Sequence, residues 1–310
     1  MNKNVKIVEF ANFNITFGDT NEPLLSQLDY IVIPALRSEL KRGKSYPSFY
    51  FINVRLIDYK DELILQADYI KDTKYEAKTR MDNGVLKVVD DTMLAAPYSK
   101  IIVFLRNHRM ILIKNEPSSP DIRGLSSTLE YILSEYINTV NEIKRKSGEE
   151  EFLPYANVNI VGIPLQAKGI HDMLHGMKKI TLAKFKLFPL NNDIDPSAFT
   201  KYTREMMLKA ESNTGNINFN SPQNKLELAK IIESTKGLAE VRVEGADEIG
   251  NKLKISEHEL TKKEQFPFEG DLNQCPSDTI LEYAFASGIL EDVSEDNNKC
   301  YLDYRRNRNE

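Results

Sequence analysis

The fold turns on residues 155–192, YANVNIVGIPLQAKGIHDMLHGMKKITLAKFKLFPLNN. Their pattern predicts a strand, a short helix and a second strand. Lys168, Lys178, Lys179, Lys184 and Lys186 stand there against a single acid, Asp172. Over 180–188 the residues alternate. Thr181, Ala183, Phe185 and Leu187 take one face, while Leu182, Lys184, Lys186 and Phe188 take the other. Lys184 and Lys186 are thus expected to project together, with Lys178 and Lys179 at the strand entrance and Lys168 ahead of the helix. Neighbours on one face of a strand lie about 7 Å apart, the scale of phosphate spacing along a nucleic-acid strand.

Working outward, residues 148–151 (GEEE) form an acidic connector after a helix stop and mark the best boundary. The expected class is α+β with two domains, each an antiparallel or mixed sheet with flanking helices. The first spans 1–147 and ends in a long helix. The second spans 152–270 and carries the basic strand, and 271–310 hold a C-terminal helix and a charged tail. Within the first domain, Val5 to Phe17 alternate as a half-buried strand. Residues 24–44 have helical spacing interrupted by Pro34. Strands follow to Lys114, and a helix runs to Lys146 with Ser126 as its expected cap. In the second domain, helices are expected at 196–212, starting on Pro196, and at 222–235. Strands are expected at 238–243 and 252–255, and a helix at 279–290.

With 310 residues and 41% apolar side chains, the composition is that of a folded protein with room for about two cores. Cys275 and Cys300 belong to no CxxC, which excludes a zinc ribbon and fits free thiols in a reducing cytoplasm. No apolar run approaches the ~20 residues that span a bilayer. The net charge of −5 argues against a uniformly basic nucleic-acid binder, but a local basic face is compatible with it.

Catalytic patterns are sparse. GxSxG, Walker A and GxGxxG are absent, so no catalytic residue and no cofactor are assigned. His171 and His175 in HDMLH sit four apart, as in zinc-hydrolase helices, yet Asp172 stands where such enzymes use Glu. Without a third ligand nearby, no metal site is assigned. The histidines read better as surface groups able to touch phosphate. The acid pairs Asp90–Asp91, Asp193 with Asp195 and Asp247–Glu248 read as solvated turns. Asp58, Asp61 and Glu62 with Lys60 fit a metal-nuclease pattern poorly. The expected nucleic-acid-binding set is therefore Lys168, His171, His175, Lys178, Lys179, Lys184 and Lys186. The clusters Arg37, Lys41, Arg42, Lys44 and Arg106, Arg109 are candidates to extend it. With no Trp and no RNP-like aromatic pair, backbone contact is favoured over base stacking.

The order of NHRMILI (107–113), a long helix, MKKITLAKFKLFPLN (177–191), two helices and LAEVRVEGADEIGNKLKISEHELTKK (238–263) resembles RexA-like phage-exclusion proteins. The resemblance spans roughly residues 100–265 and no short motif carries it. It implies a two-domain α+β fold related to the RdgC ring proteins. It also implies homodimers that bind double-stranded DNA with little sequence preference, and a cytoplasmic sensor in phage exclusion that signals to a membrane effector. The leading expectation is a non-enzymatic DNA-binding protein. A metal-dependent nuclease using His171, Asp172 and His175, and a protein–protein interaction module, are the alternatives. The acidic run before YRRNR is expected to cover a basic surface at rest.

Overall fold

A computed structural model describes residues 5–193, 195, 198–289 and 293–309. Among them, thirteen strands and eight α-helices build an α+β protein with two antiparallel sheets. No helix of the described residues is long and apolar enough to cross a membrane.

Strand β1 (Lys6–Phe17) is the hub of the larger sheet. It pairs with β7 (Arg109–Lys114) along one edge. Along the other edge it pairs with β13 (Lys263–Phe266) and then β8 (Ala156–Gly162). Beyond β7 lie β6 (Tyr98–Phe104), β4 (Glu62–Asp82) and β3 (Ser48–Tyr59). The distal half of β4 leaves the sheet and pairs only with β5 (Val85–Ala95). Both faces of β1 are buried, where alternation predicted a half-buried strand. The reason is that helices cover the sheet on both sides. Ala11, Phe13, Ile15 and Phe17 meet α2 (Ile122–Ser147) and the turns that lead into α1 (Ile33–Arg37). Val8 and Phe10 meet α7 (Ser277–Ala286).

Pro34 sits in the first turn of α1 after a 3-10 turn and a π turn, as its missing N–H favours. Helix α2 starts a turn earlier than expected. Asp121, rather than Ser126, accepts the Gly124 N–H at 3.2 Å. Its end matches the expected stop: Gly148 takes the left-handed conformation at φ 80°, which closes the last turn onto Lys144 and Arg145 carbonyls.

The connector at 148–151 does not separate the two sheets. Both β8 and β13 belong to the larger sheet, and α7 packs upon it. The second sheet is built from residues that lie between β8 and β13. Its order is β10 (Gly215–Asn220), β9 (Lys179–Leu187), β11 (Glu240–Ala246), β12 (Lys252–Ile255). Strand β10 carries no apolar run that would announce it in the sequence, because exposed asparagines alternate along it. Helices α3 (Ala167–His175), α4 (Ala198–Lys209) and α5 (Lys225–Ser234) lie on one face of this sheet. The expected start on Pro196 and the expected end at Leu290 fall outside the described residues.

Polar side chains join the two sheets. Asn14 donates to the Pro189 carbonyl at 2.8 Å and accepts from the Asn191 N–H at 3.0 Å. Buried Arg109 donates to the Lys236 carbonyl at 2.6 Å. Glu257 in α6 (Glu257–Leu260) accepts from the Gly162 N–H. A Cβ on Gly162 would stand 2.0 Å from the Thr261 hydroxyl, so the close approach needs glycine. Burial raises the Glu257 carboxyl pKa, and Glu240 and Glu9 add to the effect. A raised folded-state pKa stabilises the fold below the ordinary carboxyl range and withdraws that stability as pH rises through it. Glu257→Gln keeps the acceptor oxygen and removes the charge. The variant should therefore melt above the wild type near about pH 8, with the gap closing toward about pH 4. Parallel melting curves across that range would refute this.

Candidate nucleic-acid interface

Strand β9 carries the basic stretch, and its inner face is settled by packing. Ala183, Phe185 and Leu187 are fully buried. Phe185 meets Phe199 and Phe219 edge-on at centroid distances of 5.7 and 5.6 Å, contacts worth about 0.5–1.5 kcal/mol each beyond burial. This pins the register, because a one-residue slip would turn Lys184 and Lys186 inward.

Among the described residues, the helices that pack on this sheet, α3, α4 and α5, lie on its inner face. Pairing places Lys186 between Asn216 and Glu240, and Lys184 between Asn218 and Arg242. The next row holds Asn220, Leu182, Glu244 and Lys254. One irregularity alters the count. Between Glu244 and Gly245 the register shifts, so that Leu182 faces Glu244 while Ile180 already faces Gly245. Thr181 is the extra residue of this bulge. It restores Ile180 to the core and turns Lys179 onto the outer face, in a row with Ala246 and Lys252. Gly245 permits it: a Cβ there would stand 2.3 Å from the Lys179 carbonyl.

The outer face thus presents Lys179, Lys184, Lys186, Arg242, Lys252 and Lys254. Glu240 and Glu244 are the carboxylates among them. Glu240 lies 3.4 Å from Lys186, and Glu244 pairs with Arg242. Among the described residues, Lys179, Lys184, Lys252 and Lys254 form no ion pair on this face. Six cations over two carboxylates leave an excess of four positive charges on a chain of net charge −5. Exposed Asn216, Asn218 and Asn220 line the edge with side-chain amides. No aromatic ring stands at these positions.

The seven residues expected to act together are divided. Lys179, Lys184 and Lys186 share the outer face. Lys178 lies just before it and pairs with Glu248 at 3.2 Å. Lys168, His171 and His175 sit on α3, which buries Ile170 and Leu174 against the opposite face of the sheet. A four-stranded sheet stands between the two groups, so one groove cannot use both. Arg242, Lys252 and Lys254 were missed, although the alternations EVRV and KLKI carry the signal. Strand order, which makes them neighbours of β9, is not in the local pattern.

The metal reading gains no partner. The His171 and His175 rings meet edge-on at 4.3 Å, and no cluster of three ligating side chains occurs among the described residues. The paired acids serve structure. Asp90 meets Lys78, Asp193 meets His108 and Asn297, and Asp247 accepts N–H groups of its own loop. Asp58 pairs with Arg305, and Glu62 with Arg106.

The other basic clusters are also committed elsewhere. Arg42 donates to Thr128 and stacks on Phe49, and Arg106 donates to Glu62 and Asn298. The basic end lies in α8 (Glu295–Asn309), packed on the larger sheet. Tyr301 is buried and accepts the Leu63 N–H, while Arg305 reaches Asp58. Of the acidic run expected to cover a basic surface, Glu291 and Asp292 lie outside the described residues, while Glu295 and Asp296 open α8.

The fold and this face define the protein as an α+β chain whose second sheet is helix-backed on one side and open and cationic on the other. Compared with known proteins, the chain matches no family model, and a search of curated proteins finds no match.

Proposed function

We propose that the protein binds double-stranded DNA through its phosphate backbone, without sequence preference, on the outer face of β10-β9-β11-β12. One observation carries the reading: the register gathers Lys179, Lys184, Lys186, Arg242, Lys252 and Lys254 on an uncovered face. Same-strand neighbours about 7 Å apart and strands about 4.8 Å apart make a lattice on the scale of a phosphate backbone. The asparagine edge supplies donors for phosphate oxygens, and the lack of rings favours backbone contact over stacking.

Binding should fall steeply with salt. If five or six phosphates are neutralised, log K against log salt should have a slope of about −5. Fluorescence anisotropy with unrelated duplexes of equal length should give equal affinities. A flat salt response, or no binding at low salt, would end the reading.

The place of such a protein in phage exclusion, as a sensor that signals to a membrane effector, is supported by the resemblance to RexA-like proteins. It predicts that the chain alters phage plating only while the basic face is intact. Plating unaffected by loss of that face would separate the cellular role from DNA binding.

A further inference from the structure

On the face of the larger sheet that α7 covers, one patch is polar. Ile64, Ile70, Ile102, Ile111 and Ile113 make that face apolar. Gln66, Asp68 and Lys100 stand among them, only 3%, 2% and 7% exposed. Against this patch lies a cavity of about 400 Å³, in the size range of small-ligand clefts. Its other walls are the middle of β3, the 3-10 turn Leu272–Gln274 and the start of α7. A bulge in β3 brings the cavity a second cation. Ile52 faces Asp68 and Arg55 faces Gln66, so that Asn53 and Val54 together oppose Ala67. Without the extra residue Val54 would face Gln66, and Arg55 would turn to the α2 side. Asn53 takes the left-handed φ of 54° at the bulge, which asparagine tolerates better than most residues.

Hydrogen bonds within the patch consume its acceptors. Lys100 donates to Asp68 Oδ1 at 2.9 Å and to Asn273 Oδ1 at 3.0 Å. Arg55 donates to Gln66 Oε1 at 3.0 Å and to Ser277 Oγ at 3.2 Å. Asn53 donates to the second Asp68 oxygen at 2.7 Å. With their oxygens engaged by cations, Gln66 and Asn273 turn their amide nitrogens the other way. The Gln66 nitrogen meets no acceptor among the described residues and is not sealed inside the protein, so it opens on the cavity. The Asn273 amide nitrogen, one Arg55 Nη and the third Lys100 N–H are also free. Of the lining amides, only exposed Asn53 keeps a free oxygen. The cavity therefore offers donors, with two cations against one carboxylate that is already bonded through both oxygens.

We propose that this cavity binds a small phosphate monoester. Arg55, Lys100, Gln66 and Asn273 hold the phosphoryl oxygens, and the apolar body lies against Val54, Leu272 and Ile280. A lining of donors with a positive excess selects an anion, and charge-assisted bonds make that selection strong. Donors on four side chains suit the three terminal oxygens of a phosphoryl group better than the two of a carboxylate, and the arginine fork matches either. The ion pair points the same way. A buried pair gains little for folding over apolar residues of similar volume, so stability alone does not account for Lys100 and Asp68 in a face of isoleucines. This site lies on the larger sheet, apart from the outer face of β9, and does not rest on DNA binding.

Titration calorimetry of the full chain with phenyl phosphate, at about 0.15 M salt to screen surface charge, tests it. The wild type should bind one equivalent with a Kd below about 1 mM. Benzyl alcohol, which keeps the ring and lacks the phosphate, should not bind, and benzoate should bind at least about tenfold more weakly. Gln66→Glu keeps the acceptor for Arg55 and sets a carboxylate oxygen where the amide donor stood. It should weaken binding of phenyl phosphate at least about tenfold, as should Arg55→Ala. Arg55 is exposed, so R55A carries the test even where Q66E does not fold. Lys184→Glu with Lys186→Glu should leave the binding unchanged. No saturable binding in the millimolar range would overturn the proposal, as would benzoate binding equally well. Wild-type affinity in R55A or in a folded Q66E, or loss of binding in K184E/K186E, would overturn it too.

Discussion

Replacing Arg204 by methionine is expected to cost about 3–5 kcal/mol of folding free energy, the largest single-site loss predicted for this chain. Arg204 lies in α4 and is 5% exposed. Its Nε donates to the Phe188 carbonyl at 2.8 Å, and one Nη donates to the Leu238 carbonyl at 2.7 Å. The other Nη pairs with Asp195, whose side chain is 8% exposed. Phe188 follows β9 and Leu238 precedes β11, so one guanidinium ties the ends of two neighbouring strands to a helix. Burial lowers the Arg204 pKa to about 10, partly offset by the Asp193 carboxylate. That direction measures the desolvation the partners must repay. Methionine fills similar volume but removes the guanidinium from two carbonyls and from the buried Asp195 carboxylate, which keeps the Thr200 hydroxyl as a donor. Urea unfolding should show the loss, and adding Asp195→Asn should recover part of it by removing a buried charge that has lost its guanidinium. A loss below about 1 kcal/mol would mean that water replaces the guanidinium freely.

The second large effect is on binding. Each phosphate contact contributes a factor of roughly ten at about 0.1 M salt relative to 1 M, through counterion release. Lys184→Glu with Lys186→Glu should therefore weaken DNA binding about 100-fold near 0.1 M salt and make the slope shallower by about two. Both side chains point away from the core, so the melting temperature should hold. Lys168→Glu with His175→Glu, on the far side of the sheet, should change affinity little. Equal losses from the two pairs would mean that DNA wraps the whole unit rather than lying on one face.

The expectation that Lys184 and Lys186 project together rests on strict alternation, and the register agrees with it. Continuing the same alternation back to Lys179 would place it in the core, where Ile180 lies instead. The bulge at Thr181 is a property of two strands, and nothing within β9 announces it. Asp121 outcompeted Ser126 as the cap of α2 because Pro120 holds the preceding chain extended, so that the Asp121 carboxylate meets the Gly124 N–H.

The sequence by itself determined the class of fold, most of the elements and the face each one buries. These follow from periods of 2 and 3.6 residues, which act within about a dozen residues. Only the tertiary structure decided that β8 and β13 join the first sheet, that Arg242, Lys252 and Lys254 stand beside Lys184, and that His171 and His175 lie behind it. Those facts depend on which strands pair. Pairing is chosen by burial summed over residues far apart in the chain, which no local pattern contains.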